Sequence, residues 1–131
     1  MLCPHIAVIT PNVRELEMLA RVEIATLADA IDGARALAQI AQVAVLVKGG
    51  HLVEGPDSID VLIHAGGTEQ LRAPRIPGPD VHGTGCALSS AIAAHLALGA
   101  NLVEACRAAK AYVAERITTP VHPGRGAPAV L

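Results

Sequence analysis

The sequence predicts an α/β layered domain with a partly parallel sheet, and three observations carry that prediction. Val43-Ala44-Val45-Leu46-Val47 is a continuous apolar run rich in β-branched residues, the mark of a strand buried on both faces. Ile6-Ala7-Val8-Ile9 is a second short apolar run, and segments of helical periodicity separate the two. Composition is the third: hydrophobic residues make up 52% and charged ones 17%, with one tyrosine (Tyr112) and neither Phe nor Trp. A core of Ala, Val, Leu and Ile alone suits helices packed closely on a sheet. At 131 residues the chain is one domain, 1–131, large enough for a real core.

Each element follows in order. The run Ile6–Ile9 is halted by Thr10-Pro11-Asn12, a strand ending in a turn. Pro11 and Asn12 then start a helix to about Ala20 with Val13, Leu16 and Leu19 on one side. Thr26-Leu27-Ala28-Asp29 resembles a capping box and opens a second helix, whose stripe is Leu27, Ile31, Ala34, Ala38 and Ala41, weakened by Gly33. The buried strand Val43–Val47 comes next, then two alternating segments, Ser58–His64 and Thr68–Ala73. Ala65-Gly66-Gly67 turns one into the other as a hairpin. Pro74, Pro77 and Pro79 mark an irregular approach to a glycine turn. A helix after Cys86 reaches about Leu98 and stops at Gly99. The last helix has Asn101 as cap and Glu104 three residues on, with Leu102, Cys106, Ala109, Val113 and Ile117 on its buried side. Residues 120–131, rich in Pro and Gly, read as a loop-like tail.

The same composition excludes several function classes. A net charge of −2 gives no footprint for a polyanion, and the absence of stacking aromatics argues against single-stranded nucleic acid. Cys3, Cys86 and Cys106 are odd in number and lack framework spacing, so they read as free thiols in a reducing cytoplasm. No basic stretch leads into a long apolar run, so neither a signal peptide nor a membrane span is expected.

Chemistry concentrates in three segments. In His82-Gly83-Thr84-Gly85-Cys86, two glycines flank a threonine just before a helix. The turn aims successive amides into one concavity, and the helix start adds its dipole. Such a turn binds an anion, most often phosphate, and the same field favours the thiolate of Cys86. The plain alternative is a tight turn that lets a helix pack closely. The glycine turn, with no third or fourth ligand nearby, argues against His82 and Cys86 as a metal pair.

Lys48-Gly49-Gly50 follows the buried strand at its carboxyl end, where open α/β sheets place ligands. Lys48 there can reach a phosphate while the glycines admit a ligand to the backbone; a solvent-exposed lysine on an ordinary turn is the alternative. No Gly-x-x-x-x-Gly-Lys-Ser/Thr sequence exists, so a P-loop is excluded. Asn12 and Glu15 share a face at the start of the first helix. The pair suits either a hydrated Mg²⁺ or a plain helix cap. His51, His64, His95 and His122 have no partners at diagnostic spacing, with His95 on an apolar helix side, and Cys106 reads as a small core hydrophobe.

In this order and spacing, Ile9-Thr10-Pro11-Asn12-x-x-Glu15, Val45-Leu46-Val47-Lys48-Gly49-Gly50-His51 and His82-Gly83-Thr84-Gly85-Cys86 resemble the hydroxymethylpyrimidine/phosphomethylpyrimidine kinases of thiamine biosynthesis, members of the ribokinase-like superfamily. The resemblance runs from about Ile6 to about Ile117. It implies a three-layer ribokinase-like α/β fold, of which this chain matches the C-terminal half, with a mostly parallel sheet plus the hairpin. It further implies ATP-dependent phosphoryl transfer onto a hydroxymethyl pyrimidine and then onto its monophosphate, with Mg²⁺.

By position, Gly83-Thr84-Gly85 corresponds to the anion hole, and Cys86 stands where most ribokinase-like enzymes have an aspartate base. Lys48, with Gly49 and Gly50, corresponds to the nucleotide side, and Asn12 and Glu15 to the segment linked to Mg²⁺ and phosphate. Val81 departs from the hydroxyl residue usual before the turn. Since the family's N-terminal half carries most of the pyrimidine pocket, the resemblance implies either a homo-oligomer or a complementing N-terminal half as partner, besides the small-molecule substrate. A pyridoxal kinase-like enzyme and a non-catalytic nucleotide-binding remnant are the alternatives.

Overall fold

The computed structural model describes residues 5–50, 52, 55–77, 83–119, 121, 124–125 and 129–130. Cys3, His51, Pro79, Val81, His82 and His122, and much of the tail, lie outside the described residues. The elements are β1 (Val8–Ile9), α1 (Val13–Ala20), α2 (Leu27–Ala41), β2 (Ala44–Val47), β3 (Asp57–His64), β4 (Gly67–Pro74), α3 (Thr84–Ala97) and α4 (Leu102–Thr118). The four strands form one mixed sheet in the order β1-β2-β3-β4. β1 and β2 are its parallel pair, with Val8 opposite Ala44 and Ile9 opposite Val45. β2 and β3 run antiparallel, with Val45 opposite Ile63 and Val47 opposite Val61. The two-residue turn between β3 and β4 makes them the expected hairpin. An Arg72–Asp57 ion pair at 3.8 Å spans it, and His64 Nε2 lies 3.6 Å from a Glu69 carboxylate oxygen. The amide of Gly66 donates to Nδ1 of His64, so that histidine belongs to the hairpin turn.

The chain divides into two compact units, residues 1–72 and 73–131. In the first, α1 and α2 cover one sheet face, where Val45, Val47, Val61 and Ile63 meet Leu16, Ile24, Ala30, Ala34 and Leu37. Alternation along β2 and β3 places those four strand residues on one side. Leu46 and Leu62, on the opposite side, are also fully buried, so β2 is covered on both faces within this chain.

Helix registers shift slightly from the sequence prediction. On α1 the core side is Val13, Leu16 and Ala20, while Leu19 is exposed, because Ala20 rather than Leu19 completes the narrow stripe. On α2 the buried centre is Ala30, Gly33, Ala34 and Leu37. Gly33 has a packing role there: a Cβ on it would lie 3.3 Å from Cγ2 of Val22. β1 is shorter than Ile6–Ile9, and Ile6 is exposed.

In the second unit α3 packs against α4, burying Leu88 and Ile92 on one and Ala105, Cys106, Ala109 and Val113 on the other. Lys110 is also buried. The predicted box at Asn101 forms, with Glu104 donating its amide to Asn101 Oδ1 at 3.0 Å. Val121 and Ala129 form an isolated antiparallel bridge in the tail.

Candidate functional site

The parallel ladder of β1 and β2 runs one pair beyond the strands. Asn12 bridges Lys48, and the Lys48 amide donates to the Pro11 carbonyl at 3.0 Å. What the sequence reads as a turn after Ile9 is therefore an extension of the ladder, and it joins two motifs that are distant along the chain. Both lie at the carboxyl ends of parallel strands, the usual place for ligands in such sheets.

Asn12 and Glu15 form a reciprocal capping box on α1. The Glu15 amide donates to Asn12 Oδ1 at 2.9 Å and the Asn12 amide donates to Glu15 Oε2 at 2.8 Å. The capping alternative is realised, and it orders both side chains at the strand end. One carboxylate oxygen of Glu15 is used in the box.

After Lys48, which is half-buried, the backbone leaves the ladder. Gly49 lies directly on β3: a Cβ there would sit 1.8 Å from the Ile59 carbonyl oxygen, so only glycine permits the approach. Its amide donates to Oδ1 of the buried Asp60 at 3.0 Å. Gly50 has φ +50° with open space around its Cα, and the Leu52 amide closes the turn on the Gly49 carbonyl at 2.8 Å. Asp60 is the residue the sequence pattern does not single out, because it falls in the alternating segment Ser58–His64 on the side opposite Ile59, Val61 and Ile63. Ile59 through Ile63 are in fact all buried. The available signal was a lone acid inside that apolar run.

In the second unit α3 begins at Thr84, ahead of the predicted start after Cys86. Gly83 is the N-cap with φ +87°, and no side-chain hydrogen bond caps this end. Gly83 alone makes the left-handed turn, while Gly85 and Cys86 stand inside the first helical turn. A Cβ on Gly83 would meet only the Val130 carbonyl at 3.5 Å, so conformation rather than crowding requires glycine. The first-turn amides of a helix have no intrahelical acceptor, which makes this end receptive to an anion. Cys86 is exposed there, whereas Cys106 is buried on α4. Among the described residues, no group of three or more His, Cys, Asp or Glu could hold a metal ion. None of the described helices is long and apolar enough to cross a membrane.

Comparison with known proteins gives first the class and then the family. The ADP complex of Bacillus subtilis pyridoxal kinase superposes with a TM-score of 0.88 at 30% identity, over 98% of this chain and 49% of that one. The fold is thus the ribokinase-like α/β fold. The profile of the phosphomethylpyrimidine kinase family matches residues 1–130. The thiamine biosynthetic bifunctional enzyme of Arabidopsis thaliana is 42% identical over 113 residues, covering 86% of this chain and 22% of its own. The hydroxymethylpyrimidine/phosphomethylpyrimidine kinase of Aquifex aeolicus is 38% identical over 118 residues, covering 90% and 46% respectively. The chain belongs to the phosphomethylpyrimidine kinase family. It spans less than half the length of these curated relatives.

Proposed function

We propose that this chain carries the nucleotide and transition-state side of an ATP-dependent phosphotransferase acting on a hydroxymethyl pyrimidine and its monophosphate. The observation that supports the reading most is the Asn12–Lys48 bridge, which joins two of the three family motifs at one strand end. Lys48 would bind nucleotide phosphate as a point charge, with Gly49 and Gly50 admitting it to the backbone. The uncapped start of α3, at Gly83, Thr84 and Gly85, would stabilise charge on the transferring phosphoryl group. The substrate hydroxymethyl oxygen would bond to the γ-phosphorus as the bond to the β-phosphate oxygen breaks. Its proton would pass to Sγ of Cys86, and ADP would leave.

Hydrated Mg²⁺ needs one or two protein oxygens, and Glu15, with one carboxylate oxygen outside the capping box, fits that need beside Asn12. When bound, the ion would neutralise phosphate charge. The reading places the reaction in the cytoplasm. It includes assembly with a second copy, or with a segment equivalent to the N-terminal half of the relatives, to supply the pyrimidine pocket.

The test measures ADP release with the pyrimidine alcohol, its monophosphate and pyridoxal. Each is run with the chain alone and with the N-terminal half of the Aquifex aeolicus kinase added in trans. Turnover of the pyrimidines on complementation, lost in Cys86→Ala, is the expected result. Turnover of pyridoxal alone would favour the second reading, for which the pyridoxal kinase superposition speaks. Nucleotide binding without turnover in every arrangement would overturn catalysis in favour of a binding role.

A further inference from the structure

The turn that presents Lys48 is held by a group outside the three motifs. We propose that Asp60 is a positioning residue for this turn: its buried carboxylate holds the Gly49 amide and so sets the direction in which Lys48 leaves the sheet. The inference rests on the nucleotide-side reading of Lys48.

The antiparallel pairing ends with Val47 opposite Val61, and the same register carried two residues further would set Lys48 opposite Asp60 and Gly49 opposite Ile59. β2 lies between β1 and β3, and successive amides of a central strand point to opposite neighbours, so the Lys48 amide faces β1 and the Gly49 amide faces β3. The Lys48 amide accordingly goes to the Pro11 carbonyl, at 3.0 Å. Gly49 is pressed onto the Ile59 carbonyl, which blocks any side chain there, and its amide finds the Asp60 carboxylate at 3.0 Å. A carboxylate accepting a backbone amide in a buried place makes a stronger bond than a neutral pair, and leaving that amide unmet is costly. Lys48 is thus clamped through two consecutive amides, its own on Pro11 and the next on Asp60. Rotation of the Lys48–Gly49 peptide, which would swing the lysine away from the strand end, breaks the second clamp.

The experiment is calorimetric titration of the full chain with MgADP, for the unsubstituted protein, Lys48→Ala, Asp60→Ala, Asp60→Asn and the Lys48→Ala/Asp60→Ala double variant. Asp60→Ala is expected to weaken binding about tenfold, the loss of one such interaction. Asp60→Asn, whose side-chain oxygen still accepts the amide, should restore most of it. The double variant should bind no more weakly than Lys48→Ala alone, because Asp60 acts through the lysine. Hydrogen exchange at the Gly49 amide should be slow in the unsubstituted protein and in Asp60→Asn, with or without nucleotide. If Asp60→Ala does not fold, the Asp60→Asn affinity and exchange measurements decide. Unchanged affinity in Asp60→Ala, additive losses in the double variant, or fast Gly49 exchange in Asp60→Asn would overturn the proposal while leaving the lysine reading intact. No MgADP binding by the unsubstituted protein, or none lost in Lys48→Ala, would overturn the nucleotide-side reading and this proposal with it.

Discussion

Two thiols with the same chemistry sit in opposite surroundings: Cys86 is exposed in the first turn of α3, and Cys106 is buried on α4. Iodoacetamide should therefore modify Cys86 in the folded protein and reach Cys106 only on unfolding, as peptide mass spectrometry over a urea series would show. Equal labelling rates under native conditions would contradict the burial. The glycines after Lys48 offer a second contrast. Gly49→Ala forces a Cβ onto the Ile59 carbonyl, so a loss of ~3 kcal/mol or more is expected in urea unfolding. Gly50→Ala meets no atom and only occupies a left-handed φ of +50°, which costs about 1 kcal/mol. The ordering of the two, Gly49 worse than Gly50, separates close approach from backbone conformation. Sequence alone shows two adjacent glycines and does not rank them.

Of the four helices among the described residues, three open with a reciprocal capping box, at Asn12, Thr26 and Asn101, and α3 opens on Gly83 without one. A box satisfies first-turn amides internally, whereas the α3 start has no side-chain cap hydrogen bond. Asn101→Ala should destabilise by about 1 kcal/mol in urea unfolding, since it removes an acceptor the helix start needs. At α2, hydrogen bonds from the Thr26 side chain, then from the Thr26 and Ala25 amides, hold the Asp29 carboxyl below the usual carboxylate range. A lowered folded value means that the unfolded chain takes up the proton first as pH falls. The contribution is present above the ordinary carboxylate range and is lost as pH drops through the lowered value. Thermal melts taken as pH falls through and below the ordinary carboxylate range should thus lose less stability with pH in Asp29→Asn than in the parent chain; identical pH profiles would dismiss the effect.

At the scale of the molecule, β2 needs no outside partner, for Val45, Leu46 and Val47 are all buried. Among the described residues the sheet has two edges, β1 and β4, and β1 is a two-residue strand with Ile6 exposed beside it. Unpaired backbone groups on an edge accept another strand. Sedimentation velocity is therefore expected to show a dimer or larger species, dissociating when Val8→Pro removes the amide at that position. A monomer at all loading concentrations would remove the edge argument for assembly.

Local signals in the chain determined the two strand runs, the hairpin, all three capping boxes and the identity of the motif residues. Each depends on neighbours within a few positions: alternation, a cap three residues from its partner, a two-residue turn. Tertiary structure alone decided that Asn12 stands against Lys48, that Gly49 touches Ile59 and that Asp60 takes the Gly49 amide. It also decided that Asp60 lies inside, because an alternating strand shows two faces and says nothing of what covers the second. Those contacts link residues far apart along the chain, and only the pairing of β1, β2 and β3 brings them within hydrogen-bond reach.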